Sequence, residues 1–111
     1  MLKVCIDVDL TLINEEGELL PGAIEALTKF RQVPCELTLW SAAGAVYAKS
    51  VATKHNLESF FEGFAGKPDL AIDDDPQSLL LRKMVVRKPE DNWDTIQHQV
   101  IQALQQIRDE L

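Results

Sequence analysis

No apolar run in this 111-residue sequence approaches the length of a membrane span. The first residues also lack the basic, apolar and small-residue succession of a secretory leader, so a cytoplasmic protein with no membrane partner is expected. Cysteine is scarce. Cys5 and Cys35 fit no zinc-ligand spacing, each lies in or beside a predicted strand, and buried free thiols in a reducing compartment are the expected state. The histidines, His55 and His98, stand alone and take no role. Positive charge is in deficit: 11 Lys and Arg against 18 Asp and Glu leave a formal charge of −7. That balance excludes a general binder of nucleic acid or of anionic membranes. Repeats, linkers and low-complexity segments are missing too. What remains is an ordinary globular composition, 46% hydrophobic and 26% charged, of a length that makes one domain over residues 1–111.

The densest chemistry lies in Val4-Cys5-Ile6-Asp7-Val8-Asp9-Leu10-Thr11-Leu12. Apolar residues surround a carboxylate, a second carboxylate follows two positions on, and Thr11 adds a hydroxyl. The run reads as a buried strand, over residues 3–8, of a sheet covered on both faces. Ionised Asp residues at the end of such a strand are costly unless paired, and a bound cation is the economical partner. An Asp-rich turn with no chemistry is the plain alternative.

The rest alternates in kind. Asn14-Glu15-Glu16-Gly17 between apolar pairs predicts a small hairpin or flap. Pro21-Gly22 opens a helix with Ile24, Leu27 and Phe30 on one face, and Pro34 ends it. Residues 36–40 form a second strand, which runs into Ser41. Residues 42–55 are helix-forming, with Asn56 as the stop. Ser41 is then a strand end and an N-cap, and the free N–H groups behind it, that of Ala42 included, make a cradle for one phosphate. Residues 57–66 read as a packed crossover or a short edge strand. Residues 70–72 are a short strand breaking into Asp73-Asp74-Asp75, where Asp75 before Pro76 is a helix cap. A helix over 76–82 and a last strand over 84–86 follow. Asp91-Asn92 caps a final helix striped by Trp93, Ile96, Val100, Leu104, Ile107 and Leu111, a core face or, less simply, a dimer seam.

This order predicts an α/β fold: a doubly wound three-layer sandwich around a small, mainly parallel sheet. Ligands of such sheets sit beyond the carboxyl ends of the strands. With the first strand central, Asp7, Asp9, Ser41, Asp73 and Asp74 converge there. An all-oxygen ligand set without His or Cys suits Mg²⁺.

Taken together, these pieces resemble the haloacid dehalogenase (HAD) superfamily of phosphohydrolases over residues 1 to about 86. Asp7-Val8-Asp9-Leu10-Thr11 is similar to its first motif, DxDxT. Leu37-Thr38-Leu39-Trp40-Ser41 is similar to the second, an apolar strand ending in Ser or Thr. Gly66-Lys67-Pro68 resembles the third-motif lysine, and Leu70-Ala71-Ile72-Asp73-Asp74 the acidic fourth. The resemblance implies a Rossmann-like HAD core and an Mg²⁺-dependent phosphatase. In it Asp7 attacks phosphorus to form an aspartyl-phosphate. Asp9 protonates the leaving oxygen and then activates water. Mg²⁺ is held by the Asp7 carboxylate, the Asp9 carbonyl and Asp74, with Asp73 assisting. Ser41 and Thr11 contact the phosphoryl group and Lys67 neutralises charge.

Two departures bear on these roles. Leu10 stands where many members carry Gly. Lys67 lies only six positions before Asp73, so a strand climbing through 68–72 leaves it about 20 Å from the site at ~3.3 Å per residue. It reaches the site only if the 60–66 segment arrives from the carboxyl edge. Arg87 and Lys88 follow the last predicted strand and are candidate substrate contacts. Family members acting on small metabolites usually carry a cap domain. The nine residues between Thr11 and Pro21 leave no room for one, which suits a bulky phosphorylated substrate, a phosphoprotein or nucleic-acid end, or closure by a second subunit. A monomer or homodimer is expected. A receiver-like phosphoryl-accepting module and a catalytically silent binding module are the alternatives.

Overall fold

Alternating side chains in three short strands build the sheet and decide which of its faces is buried. The computed structural model describes residues 1–76 and 84–111. Strands β1 (Leu2–Asp7), β2 (Cys35–Ser41) and β3 (Gly63–Gly66) are parallel and lie in the order β1-β2-β3. Leu2 stands opposite Cys35 and Asp7 opposite Trp40, while Thr38 to Ser41 run beside Gly63 to Gly66. Since the pleat repeats every two residues, Ile6, Cys35, Leu37, Leu39 and Ser41 share one face and are buried. Lys3, Cys5, Asp7, Glu36, Thr38 and Trp40 share the other and are exposed or half-buried.

The helices add their apolar stripes to the buried face. Helix α1 (Ala23–Phe30) contributes Ala26, Leu27 and Phe30, and α2 (Ala45–Lys54) contributes Ala48, Val51 and Ala52. Helix α3 (Trp93–Glu110) adds Trp93, Ile96 and Leu104 to the same core. Helix α2 packs on β2 and β3, whereas α1 packs on α3, with the Phe30 and Trp93 rings 6.2 Å apart. Each fully buried Leu or Phe stabilises by about 1.5–3 kcal/mol.

Local chemistry sets the element ends. Gly22 turns the chain into α1 at φ 83°, and a Cβ there would stand 3.3 Å from Cβ of Trp93, so the same residue permits the turn and the docking of α3. Asn56 follows α2 at φ 59°, the left-handed stop that Asn tolerates. Asn92 caps α3 by accepting from the Thr95 N–H. The predicted flap is present: Ile13 bridges Leu19, and Asn14 Oδ1 accepts from the N–H groups of Glu16 and Glu18.

Several expectations give way. Residues 70–72 and 84–86 are not strands, so β2 rather than β1 is the central strand. Leu70 is 82% exposed and Ile72 96% exposed. The four residues between Pro68 and the acidic run at Asp73 offer too few ladder bonds to offset the entropy of ordering them. Among the described residues the sheet has three parallel strands, which keeps the α/β class and the small parallel sheet that were expected. Cys5 lies on the face opposite the core and is exposed, while Cys35 is buried; both are free. The predicted helix over 76–82 falls almost wholly outside the described residues. Among the described residues no helix is long and apolar enough to cross a membrane.

Candidate active site

Asp7 ends β1, and the chain folds back over it. The N–H groups of Thr11, Leu12 and Ile13 all approach the Val8 carbonyl, at 3.3, 2.9 and 3.2 Å. Val8 and Leu12 are fully buried and anchor the turn. The reversal needs one left-handed residue, and Leu10 supplies it at φ 60°. Thr11 thereby returns above the strand end, and its hydroxyl donates to Asp7 Oδ2 at 3.1 Å. The Trp93 indole N–H donates to the Thr11 carbonyl at 3.0 Å, which ties α3 to the same loop.

The second part of the site comes from β3. It is a strand of four residues that ends beside Ser41, so Lys67 emerges at the carboxyl edge. The Lys67 N–H donates to the Ser41 carbonyl at 2.9 Å, and Lys67 Nζ stands 3.0 Å from Asp7 Oδ1. The distance problem posed by the sequence disappears because the third strand is 63–66 and not 70–72. The ammonium also lies 5.7 Å from the centroid of the Trp40 ring, a cation–π contact of about 0.5–1 kcal/mol at a partly exposed site. Both oxygens of Asp7 are therefore engaged, one by a cation and one by a hydroxyl.

Asp9 is exposed on the turn, and its Oδ1 accepts from the hydroxyl of Tyr47, on the first turn of α2, at 2.6 Å. That hydrogen bond, with burial and the charges of Asp9 and Asp7 behind it, holds the Tyr47 phenol above its usual value. Reading the sequence for catalysis passes over Tyr47, which sits inside an ordinary helix-forming run. The available signal is its place as the sole tyrosine of the chain, six residues after the strand end at Ser41.

Ser41 is 2% exposed at the end of β2. It is not an N-cap, because α2 starts at Ala45 after Gly44 at φ 109°. Its Oγ instead accepts from the Ala43 N–H at 3.0 Å, leaving the hydroxyl proton to donate. Ala42 is exposed on the turn and lies ahead of the helix, so the cradle behind a helix-capping serine is not formed as expected.

The predicted basic pair divides. Arg87 Nη1 donates to the Leu10 carbonyl at 3.0 Å, and Arg87 lines a groove of about 490 Å³ with Asp7, Thr11, Trp40 and Lys67. Arg87 Nε is buried without a hydrogen-bond partner among the described residues. Lys88 is exposed, and its N–H turns to Asp91 Oδ2 at 3.0 Å.

The acidic fourth segment lies outside regular structure. Asp73 and Asp74 are exposed in irregular chain, and Asp73 Oδ1 accepts from the Asp75 N–H at 2.9 Å. Residues 70–72 form no strand, so Asp73 and Asp74 do not follow a strand end. Among the described residues no three side chains of His, Cys, Asp or Glu gather as a metal site. The donors that do stand at the edge, from Asp7, Asp9 and Thr11, are all oxygen. Their chemistry suits Mg²⁺, which commonly binds through one or two carboxylates, waters and a substrate phosphate.

Fold and site together define a small α/β domain whose parallel sheet carries a lysine-paired aspartate and a second aspartate at its carboxyl edge. Comparison with described protein families, curated proteins and solved structures gave no match.

Proposed function

We propose that this protein is an Mg²⁺-dependent phosphomonoester phosphatase of the haloacid dehalogenase type, without a cap domain, working through an aspartyl-phosphate. The observation that carries the reading is the Asp7 carboxylate held between the Lys67 ammonium and the Thr11 hydroxyl. An oxygen nucleophile fixed on two sides at a strand end is oriented for in-line attack on one phosphorus. Asp7 attacks, and the ester oxygen leaves with a proton from Asp9. Asp9 then takes a proton from the water that opens the acyl phosphate. Lys67 moves between the nucleophile and the phosphoryl oxygens as charge develops, and the buried Ser41 hydroxyl donates to the same oxygens. Mg²⁺ would be held by the Asp7 carboxylate and the Asp9 backbone carbonyl, and would supply the positive charge that screens an anionic nucleophile from an anionic substrate. Asp73 and Asp74 complete that set only if the segment bearing them approaches β1.

Arg87 reaches the groove beside Asp7 and extends the reading to a substrate with a second anionic group, a phosphoprotein or a nucleic-acid end. The test is hydrolysis of p-nitrophenyl phosphate with Mg²⁺. Turnover is expected, abolished by EDTA and by Asp7→Asn. Turnover in Asp7→Asn equal to that of the wild type would remove the covalent mechanism.

A further inference from the structure

Asp7 and Asp9 are held by partners of opposite kind. A cation faces Asp7, as suits a group that reacts as an anion. The partner of Asp9 is a neutral hydroxyl. Among the described residues the Tyr47 O–H is the one hydrogen-bond donor to the Asp9 carboxylate. A neutral donor is compatible with both protonation states of a carboxyl group, since it needs only one oxygen as acceptor.

Geometry makes such a partner necessary. Asp9 is exposed on a turn, beyond the last residue of β1. Free rotation about its two side-chain bonds spreads the carboxyl over several staggered positions. A general acid acts only within about 2.6–3.2 Å of the oxygen it protonates. Tyr47 is fixed by a rigid element: it is the third residue of α2, whose buried Ala48, Val51 and Ala52 pack into the core. A hydroxyl on that helix, 2.6 Å from Asp9 Oδ1, transfers the rigidity of the core to an exposed carboxyl.

We propose that Tyr47 is the positioning residue of Asp9, holding Oδ1 as a fixed acceptor so that Oδ2 carries the transferable proton. The inference rests on the phosphatase reading above. In the first half-reaction the Asp7 oxygen bonds to phosphorus, the ester P–O bond breaks, and the proton passes from Asp9 Oδ2 to the leaving oxygen. In the second, water bonds to phosphorus, the bond from phosphorus to Asp7 breaks, and the water proton returns to Asp9 Oδ2. The Tyr47 proton stays on the phenol throughout.

The experiment is Tyr47→Phe, which keeps the ring and removes the donor, assayed with Mg²⁺ on two substrates. One is p-nitrophenyl phosphate, whose leaving oxygen needs little proton assistance. The other is β-glycerophosphate, whose strongly basic alkoxide needs it fully. The ratio kcat/KM reads the first half-reaction, where the acid acts. It is expected to fall about tenfold on the alkyl ester, a fraction of the full effect of a general acid, and about twofold or less on the aryl ester. Asp9→Asn with Tyr47→Phe is expected to be no slower than Asp9→Asn alone, because Tyr47 acts through Asp9. Equal losses on the two esters, or a further loss in the double variant, would overturn the role of Tyr47 and leave the phosphatase intact. A wild type without Mg²⁺-dependent turnover on either ester would overturn both together.

Discussion

Leu10 occupies a left-handed conformation that costs an L residue about 1–2 kcal/mol. That conformation lies in the turn that returns Thr11 to Asp7. Leu10 is 54% exposed, so its side chain offsets only part of that strain. Comparing two truncations separates the terms. Leu10→Ala keeps the strain and loses the side chain; Leu10→Gly loses both. Leu10→Gly is expected to be more stable than Leu10→Ala by about 0.5–1 kcal/mol in urea unfolding, the reverse of the order in helices. The opposite order would mean that Leu10 is not left-handed in solution. Thr11→Val tests the neighbouring contact. It is nearly isosteric, and losing the hydrogen bond to Asp7 is expected to cost about 1 kcal/mol in stability and about tenfold in turnover. Wild-type kinetics in Thr11→Val would show that Asp7 needs no second support. At this scale the sequence was informative about identities and silent about geometry. Asp7, Asp9, Thr11 and Lys67 stand out by spacing and type. Tyr47 does not, because its partner lies 38 positions away and helical context gives its hydroxyl no purpose.

The shortness of β3 decides the site at the scale of elements. Lys67 arrives at the carboxyl edge because four residues suffice to cross from Thr38 to Ser41. Gly66 makes that crossing tight: a Cβ there would stand 3.2 Å from Cα of Gly44, on backbone that cannot rotate away. Gly66→Ala is expected to cost about 1–2 kcal/mol and to lower turnover further by displacing Lys67. Wild-type turnover in a folded Gly66→Ala protein would separate Lys67 from catalysis.

The other end of β3 is pinned by Glu62. Its carboxylate pairs with Arg31 and accepts from the Leu37 N–H at 2.6 Å. Burial raises its pKa, but the hydrogen bond from Leu37 and the Arg31 charge outweigh this and hold the carboxyl below its ordinary 4.5. A depressed carboxylate contributes stability above its unfolded value and loses it as pH falls through the folded one. Wild type is therefore expected to be more stable than Glu62→Gln at pH 7, with the gap closing below about pH 4.5. A gap that persists unchanged at pH 3 would assign the effect to shape instead of charge. Element types over residues 1–56 were readable from periodicity and turn residues. The exact partner of each strand was not, because 57–66 fits a crossover as well as an edge strand until β2 is seen beside it.

Across the whole molecule, a packed face and an open face divide the sheet. The packed face was legible: Ile6, Leu37, Leu39, Leu27 and Phe30 alternate or recur with the periods of their elements. The open face was not, since residues 70–72 and 84–86 have strand-like composition but too little length to prove pairing. The sheet places Asp7 at its carboxyl edge, and the central claim proposed from this is that Asp7 is the covalent carrier of a phosphoryl group. Rapid acid quench of the enzyme turning over p-nitrophenyl phosphate with Mg²⁺, followed by mass mapping of its peptides, reads that claim directly. A phosphoryl group on Asp7, lost in Asp7→Asn, is the expected result, and turnover that leaves the phosphoryl group on another residue would contradict it.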